Sequence, residues 1–116
     1  MTLQEIMDVA GMKLLTPQAD LSRTVRTGYG CDLLSWVLAH GQAGMAWITV
    51  QTHLNVIAVA TLMDMACVIL PEGILPEKEM LDKAAEEGIA VFSSDLTSYS
   101  ICGILYAQGV GQAERT

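Results

Sequence analysis

Charged side chains are scarce in this chain of 116 residues. Asp, Glu, Lys and Arg together make up only 16% of it, whereas an average soluble domain has roughly 25%. The length is that of one domain, and a small domain has proportionally more surface to cover than a large one. The shortage of charge therefore predicts that part of the surface is hidden against another protein chain.

Basic residues are the scarcest of all, since 6 Lys and Arg stand against 13 Asp and Glu and give a net charge of −7. The 51 residues between Arg26 and Lys78 include no Lys or Arg. Binding to a nucleic-acid backbone requires a basic cluster, so nucleic acid is excluded as a partner. The stretch without basic residues predicts a homodimer contact within Thr27–Leu70. Its first candidates are Trp36, Trp47, Leu54, Ile57 and Asp64.

A long hydrophobic run is also missing. The longest nearly apolar segment, Val56–Leu70, has 15 residues and is interrupted by Asp64, so it is too short to span a bilayer. The first residues are acidic where a secretory signal would be basic. Cys31, Cys67 and Cys102 are far apart and odd in number, which is typical of reduced thiols. We expect a cytoplasmic protein without a membrane partner.

Motifs for phosphate, metal or covalent chemistry are absent. The sequence contains no P-loop and no Gly-x-Gly-x-x-Gly motif. Its two histidines, His40 and His53, have no acid at metal-ligand spacing, so we expect no metal and no cofactor. Ser93 and Ser94 lack a neighbouring base and a nucleophile elbow. No catalytic residue is assigned, because an enzyme would need His53 within hydrogen-bond reach of Asp32 or Ser94.

Short apolar segments alternate with helical ones through the second half of the chain. Met45–Val50, Cys67–Leu70 and Ile89–Phe92 are typical of buried strands joined by helices. This βαβαβ pattern predicts an α/β fold: a single three-layer domain with a mostly parallel sheet of about five short strands and about five helices. We expect the domain to occupy residues 1–108 and a flexible tail to occupy residues 109–116.

Two acidic residues indicate where helices begin. Thr2 and Glu5 have the spacing of a capping box at the start of a helix over Leu3–Ala10. Asp32 is placed to cap a helix over Leu33–Ala39.

Asp64 stands alone on a helix that is expected to run from Asn55 to Ala66. An acid on an apolar helix needs a partner. Arg23 or Arg26, from another element or from a second subunit, would serve.

Ligands of parallel sheets bind beyond the carboxyl ends of the strands, where helices begin. Polar residues follow two of the predicted strands at such positions. The ligand-binding candidates are Gln51, Thr52, His53, Asn55, Ser93 and Ser94. Two interpretations of the loop at Thr52 remain open: it contacts a small anionic ligand or a second subunit, or it only caps the next helix.

Four segments resemble the DRTGG domain family: Gly30–Ser35, Trp47–Ala60, Ile69–Gly73 and Ala85–Phe92. The resemblance extends over roughly Leu3–Ala107. The family is an α/β module similar to the N-terminal domain of HPr kinase/phosphorylase. It also occurs as an accessory domain of some phosphotransacetylases and CBS-containing pyrophosphatases.

The resemblance implies a non-catalytic regulatory or protein-interaction module that acts as a homodimer. Its partner would be a separate enzyme or signalling protein encoded nearby. Family members often carry a Gly-Asp-Arg-type motif where this chain has Gln51–Asn55, so a ligand of that motif is not carried over. The alternative is a small-molecule sensor that binds an anionic metabolite or nucleotide at the helix N-terminus after Thr52.

Overall fold

A computed structural model describes residues 1–111. Within these residues the chain forms five helices and five strands. In chain order they are α1 (Leu3–Ala10), β1 (Lys13–Leu14), β2 (Thr27–Gly30), α2 (Leu34–His40), β3 (Met45–Ile48), α3 (Asn55–Leu62), β4 (Cys67–Leu70), α4 (Lys78–Glu87), β5 (Ala90–Ser93) and α5 (Ser98–Ala107).

The five strands form one sheet in the order β1-β5-β4-β3-β2. Strands β2 to β5 are parallel, and β1 pairs with β5 in the antiparallel direction. The crossover helices α2, α3 and α4 cover one face, whereas α1 and α5 cover the other. The predicted α/β class, with three layers and a mostly parallel sheet, is confirmed.

The central strands β3 and β4 are buried along their whole length. Parallel strands covered by helices on both faces need apolar residues at every position, not at alternate ones. Ala46 and Ile48 pack under α1 and α5, whereas Met45 and Trp47 pack under the three crossover helices. The continuous apolar runs in the sequence therefore correspond to the middle of the sheet.

Helix ends follow local rules in α1 and α4 but not in α2. The hydroxyl oxygen of Thr2 accepts from the amide of Glu5 at 3.2 Å, and Oε1 of Glu5 accepts from the amide of Thr2 at 3.0 Å, which confirms the capping box. Gly88 ends α4 in the left-handed region at φ 72°, as a C-terminal glycine does. The expected cap of α2 by Asp32 is wrong, because Leu33 occupies the N-cap without a side-chain hydrogen bond.

Helix α3 ends at Leu62, four residues before the expected end at Ala66. Asp64 adopts a left-handed conformation at φ 55°, which breaks the helix, and its carbonyl accepts from the amide of Gly44 at 2.9 Å. The side chain of Asp64 pairs with Arg23 at 3.0 Å. Asp64 thus lies in a turn and not on an apolar helix, and one of its two expected partners holds it within the same chain.

Beyond α5 the chain continues to pack against the domain. Val110 is buried in the core that α1 and α5 form with the sheet. The last part of the expected tail, residues 112–116, lies outside the described residues. No helix within residues 1–111 is long and apolar enough to cross a membrane.

Candidate functional site

The loops that follow β2 and β3 are joined through Asp32. Its Oδ1 accepts from the hydroxyl of Thr49 at 2.8 Å and from the amide of Val50 at 2.9 Å. The carbonyl of Asp32 accepts from Nε2 of Gln51 at 2.9 Å. Gln51, a predicted ligand residue, is therefore used to hold one loop against the other.

This hydrogen-bond network uses the polar groups that a ligand at the ends of β2 and β3 would need. The hydroxyl of Thr49 also accepts from the amide of Gln51 at 3.2 Å, and among the described residues no buried side-chain nitrogen or oxygen lacks a partner. The carboxylate of Asp32 adds a negative charge, which repels an anion. The network is suited to fixing the loops and not to binding a phosphate.

The start of α3 is closed by His53. Nδ1 of His53 accepts from the amide of Asn55 at 3.2 Å, and its carbonyl accepts from the amide of Val56 at 3.0 Å. The amide of Ile57 donates to the carbonyl of Leu54 at 3.0 Å. The amides of the first turn, which an anion would need, are thus already used.

Thr52 contributes a backbone hydrogen bond to the contacts of this loop. Its carbonyl accepts from the amide of Glu77 at 3.1 Å, which ties this loop to the start of α4. Neither Thr52 nor Asn55 caps α3, because Leu54 is the N-cap and has no side-chain hydrogen bond. The contacts of this loop close the start of α3 and tie the loop to the start of α4.

The two serine candidates lie apart from His53. Ser93 ends β5 opposite Lys13, and the hydroxyl of Ser94 accepts from the amide of Leu96 at 3.1 Å. Strand β4 lies between β3 and β5, so the loops that follow them are about 10 Å apart. The structure brings Gln51 to Asp32 but does not gather the serines and His53 into one site.

Two of the predicted interface residues belong to the core. Trp47 and Ile57 are both 0% exposed and pack beneath α2, α3 and α4. Their prediction as interface residues is wrong, because they have no surface to offer a second chain. Leu54 is half-buried at the start of α3.

Trp36 lies on the outer side of α2 and is 52% exposed. Its ring stacks on that of His40, with the centroids 4.0 Å apart. Trp36 therefore stays a candidate for contact with another chain, whereas Asp64 already has Arg23 as its partner.

A cleft that the sequence analysis missed lies between β2 and α5. Its volume is about 490 Å³, and the residues of the described chain that line it are all uncharged. Its main walls are Thr27, Gly28 and Gly30 from β2 and Tyr99, Cys102 and Tyr106 from α5. The sequence contains one signal of this cleft, the spacing of Tyr99, Cys102 and Tyr106. Residues three and seven positions apart lie on the same side of a helix.

The open edge of the sheet forms one side of this cleft. The amide of Cys31 donates to the carbonyl of Ile48 on β3 at 3.3 Å, and successive residues of a strand point their backbone groups in alternate directions. The backbone N–H and C=O of Tyr29 therefore point to β3, whereas those of Gly28 and Gly30 point away from the sheet. Both glycines are exposed among the described residues, and β2 is an edge strand of the sheet, the kind of strand that pairs with another chain.

The thiols near this region are not activated. Burial raises the pKa of Cys67 to about 12, against a smaller opposite effect of the Arg23 charge. Loss of solvation also raises the pKa of Cys102. Because reactive cysteines have lowered pKa values, neither thiol is arranged as a nucleophile. Within residues 1–111, no three His, Cys, Asp or Glu side chains form a metal-binding group.

No family model matches this chain, and no curated protein matches it either. Among solved structures, the fold is similar to the CBS and DRTGG domains of the regulatory region of Clostridium perfringens pyrophosphatase, which were crystallised with the activator diadenosine tetraphosphate. The TM-score is 0.68 and the sequence identity is 13%, and the match covers 90% of this chain and 45% of that one. This chain thus spans less than half of that structure and shares its fold.

Proposed function

We propose that this protein is a non-catalytic regulatory module of the DRTGG type, which acts as a homodimer and is accessory to a separate enzyme or signalling protein. The observation that carries the proposal is the fold, which matches over 90% of this chain to part of a pyrophosphatase regulatory region. The segments that resemble the DRTGG family in sequence support the same conclusion.

The chemistry of the described residues supports a non-catalytic role. At the carboxyl ends of the strands, Asp32, Thr49 and Gln51 bond to one another or to backbone. His53 closes the start of α3. Each of these groups thus holds a loop or a helix start in place.

The exposed apolar side chains support association with another chain. Several apolar side chains are more than half exposed: Leu33, Trp36, Leu62, Leu75 and Tyr99. A second copy of the chain would cover part of this surface and would account for the low charged fraction.

Sedimentation equilibrium of the full chain at micromolar concentration tests the homodimer. We expect a mass of twice 12.5 kDa. A strict monomer over the whole concentration range would contradict the proposal.

A second candidate function is a nucleotide sensor, favoured by the diadenosine tetraphosphate in the similar structure. Thermal unfolding with and without diadenosine tetraphosphate tests it, since a ligand that binds only the folded chain raises its melting temperature. A rise that His53→Ala abolishes would place the ligand at the start of α3. The absence of any rise would remove this candidate.

A further inference from the structure

We propose that two copies of this chain pair through their β2 strands, antiparallel and about a twofold axis at Tyr29, so that two five-stranded sheets become one. This inference rests on the proposed homodimer and names its surface. Each copy would then cover the cleft between β2 and α5 of the other copy.

The backbone of β2 is complementary to itself. Gly28 and Gly30 point their N–H and C=O groups outward, whereas Tyr29 between them points its groups to β3. With the axis at Tyr29, Gly28 lies opposite the partner's Gly30, and each donates one N–H bond and accepts another. The twofold axis generates a second such pair, so four hydrogen bonds form in all. Every N–H and C=O that the two glycines direct outward is then paired.

The side-chain faces of β2 fit the same arrangement. A Cβ on Gly30 would lie 3.9 Å from Sγ of Cys102, so the glycines face α5 and leave the floor of the cleft open. Tyr99, which is 88% exposed, and Tyr106 stand along this cleft. Tyr29 packs with the core on the other face, so it would meet the partner's Tyr29 there, at a closely spaced non-hydrogen-bonded position.

The charge distribution favours a second copy at this edge. Each chain carries a net charge of −7, so two copies repel each other least when they meet through surfaces without charged side chains. Among residues 1–111, none of those that line the cleft is charged. Five of the acids lie on or beside α4, which covers the opposite face of the sheet from α5. They are Glu77, Glu79, Asp82, Glu86 and Glu87.

Two pairs of variants test the edge by sedimentation equilibrium. Gly28→Pro removes the N–H that Gly28 directs away from β3, whereas Gly28→Ala keeps it and has room for its methyl group, 3.9 Å from the nearest described atom. We expect Gly28→Pro to weaken dimerisation by about tenfold or more and Gly28→Ala to leave it nearly unchanged.

The second pair places a charge on each of two exposed surfaces. A Cβ on Gly103, on the cleft side of α5, meets no atom within 4 Å, so Gly103→Lys tests the interface without disturbing the fold. We expect it to weaken the dimer by about tenfold or more, whereas Trp36→Lys on α2 has little effect. Circular dichroism of each variant confirms that it is folded.

The outcomes separate this inference from the proposed function. A dimer that resists both Gly28→Pro and Gly103→Lys would overturn the β2 interface and leave the homodimer standing. A dimer that Trp36→Lys alone disrupts would move the interface to α2. A full chain that is monomeric, yet dimerises when shortened to end at Gly111, would overturn the inference in favour of the last five residues as the occupant of the edge.

Discussion

Nη2 of Arg23 lies 2.6 Å from the carbonyl oxygen of Asp64 and 3.0 Å from its Oδ1. One guanidinium thus holds both the backbone and the side chain of a residue 41 positions away. The contact ties the segment before β2 to the turn between α3 and β4. It also helps Asp64 to keep its left-handed conformation at φ 55°, a region that is uncommon for residues other than glycine, although Asn and Asp adopt it more often than most.

Replacement of Arg23 by Ala is expected to lower the free energy of unfolding by about 1 kcal/mol, because an exposed ion pair contributes little and the bond to the carbonyl adds to it. Asp64→Asn should cost less than Asp64→Ala, since Asn tolerates the left-handed conformation better. Urea denaturation measures all three. Equal stabilities of the two Asp64 variants would contradict this account of the turn.

Asp32→Ala is expected to lower the free energy of unfolding by about 1 to 3 kcal/mol, because it leaves the hydroxyl of Thr49, only 1% exposed, without its acceptor. The double variant Asp32→Ala/Thr49→Val should be more stable than the single one, since it removes the unpaired hydroxyl as well. The exposed acid Glu86 provides the control, as Glu86→Ala should change stability by less than about 0.5 kcal/mol. A double variant no more stable than Asp32→Ala would refute the role of this hydrogen bond.

His53→Ala is expected to cost about 1 kcal/mol, the usual effect of losing a side-chain acceptor at a helix start. His53→Asp should recover most of the loss, because a carboxylate can accept from the same amide, that of Asn55, and is favoured by the helix dipole. Thermal unfolding of the three proteins measures the difference. If His53→Asp is as unstable as His53→Ala, the side chain of His53 does not act as a cap.

Glu5 gives the stability a dependence on pH. Its hydrogen bonds to the backbone and the side chain of Thr2 lower its pKa below the ordinary 4.5. A lowered pKa in the folded state stabilises the fold above the ordinary value, and this contribution is lost as the pH falls through the lower folded pKa.

We therefore expect the chain to exceed its Glu5→Gln variant in melting temperature at neutral pH by a margin that shrinks once the pH falls below 4.5. The hydrogen bonds of Ser22 also lower the pKa of Asp20, so both proteins lose stability in acid through Asp20. The difference between their melting temperatures therefore isolates the contribution of Glu5. A margin that stays constant with pH would show that the carboxylate is not what stabilises the helix start.

The three cysteines are expected to differ in labelling by iodoacetamide. Cys67 is buried and has its pKa raised to about 12, so it should stay unmodified while the chain is folded. Cys102 is exposed and should react slowly. Mass spectrometry after proteolysis locates the label, and labelling in denaturant should modify all three thiols. Rapid native labelling of Cys67 would contradict its burial.

The α/β fold could be predicted because its signal is local and repeated. The apolar runs at Met45–Ile48 and Cys67–Leu70 and the helices between them follow from the periodicity of the sequence. Helix ends were predicted where their partners are near in the chain, as with Thr2 and Glu5. Asp32 was wrongly predicted to cap α2 because its actual partner, Thr49, is 17 positions away.

The two tryptophans mark the limit of sequence reasoning about the surface. Trp47 lies in a central strand and is wholly buried, whereas Trp36 lies on the outer side of a helix and is half exposed. Both have apolar neighbours in the sequence, so composition alone does not separate them. Which of them can meet another chain depends on the layers that cover each element.

The sequence by itself determined the elements of this protein, because the spacing of apolar residues and the capping residues act within a few positions of the chain. The tertiary structure alone decided that β2 stands at the edge of the sheet, with α5 beside it. Strand order depends on how the crossover helices pack, which local patterns do not contain. For this reason the cleft between Gly28, Gly30 and Tyr99 emerges only when distant segments are brought together.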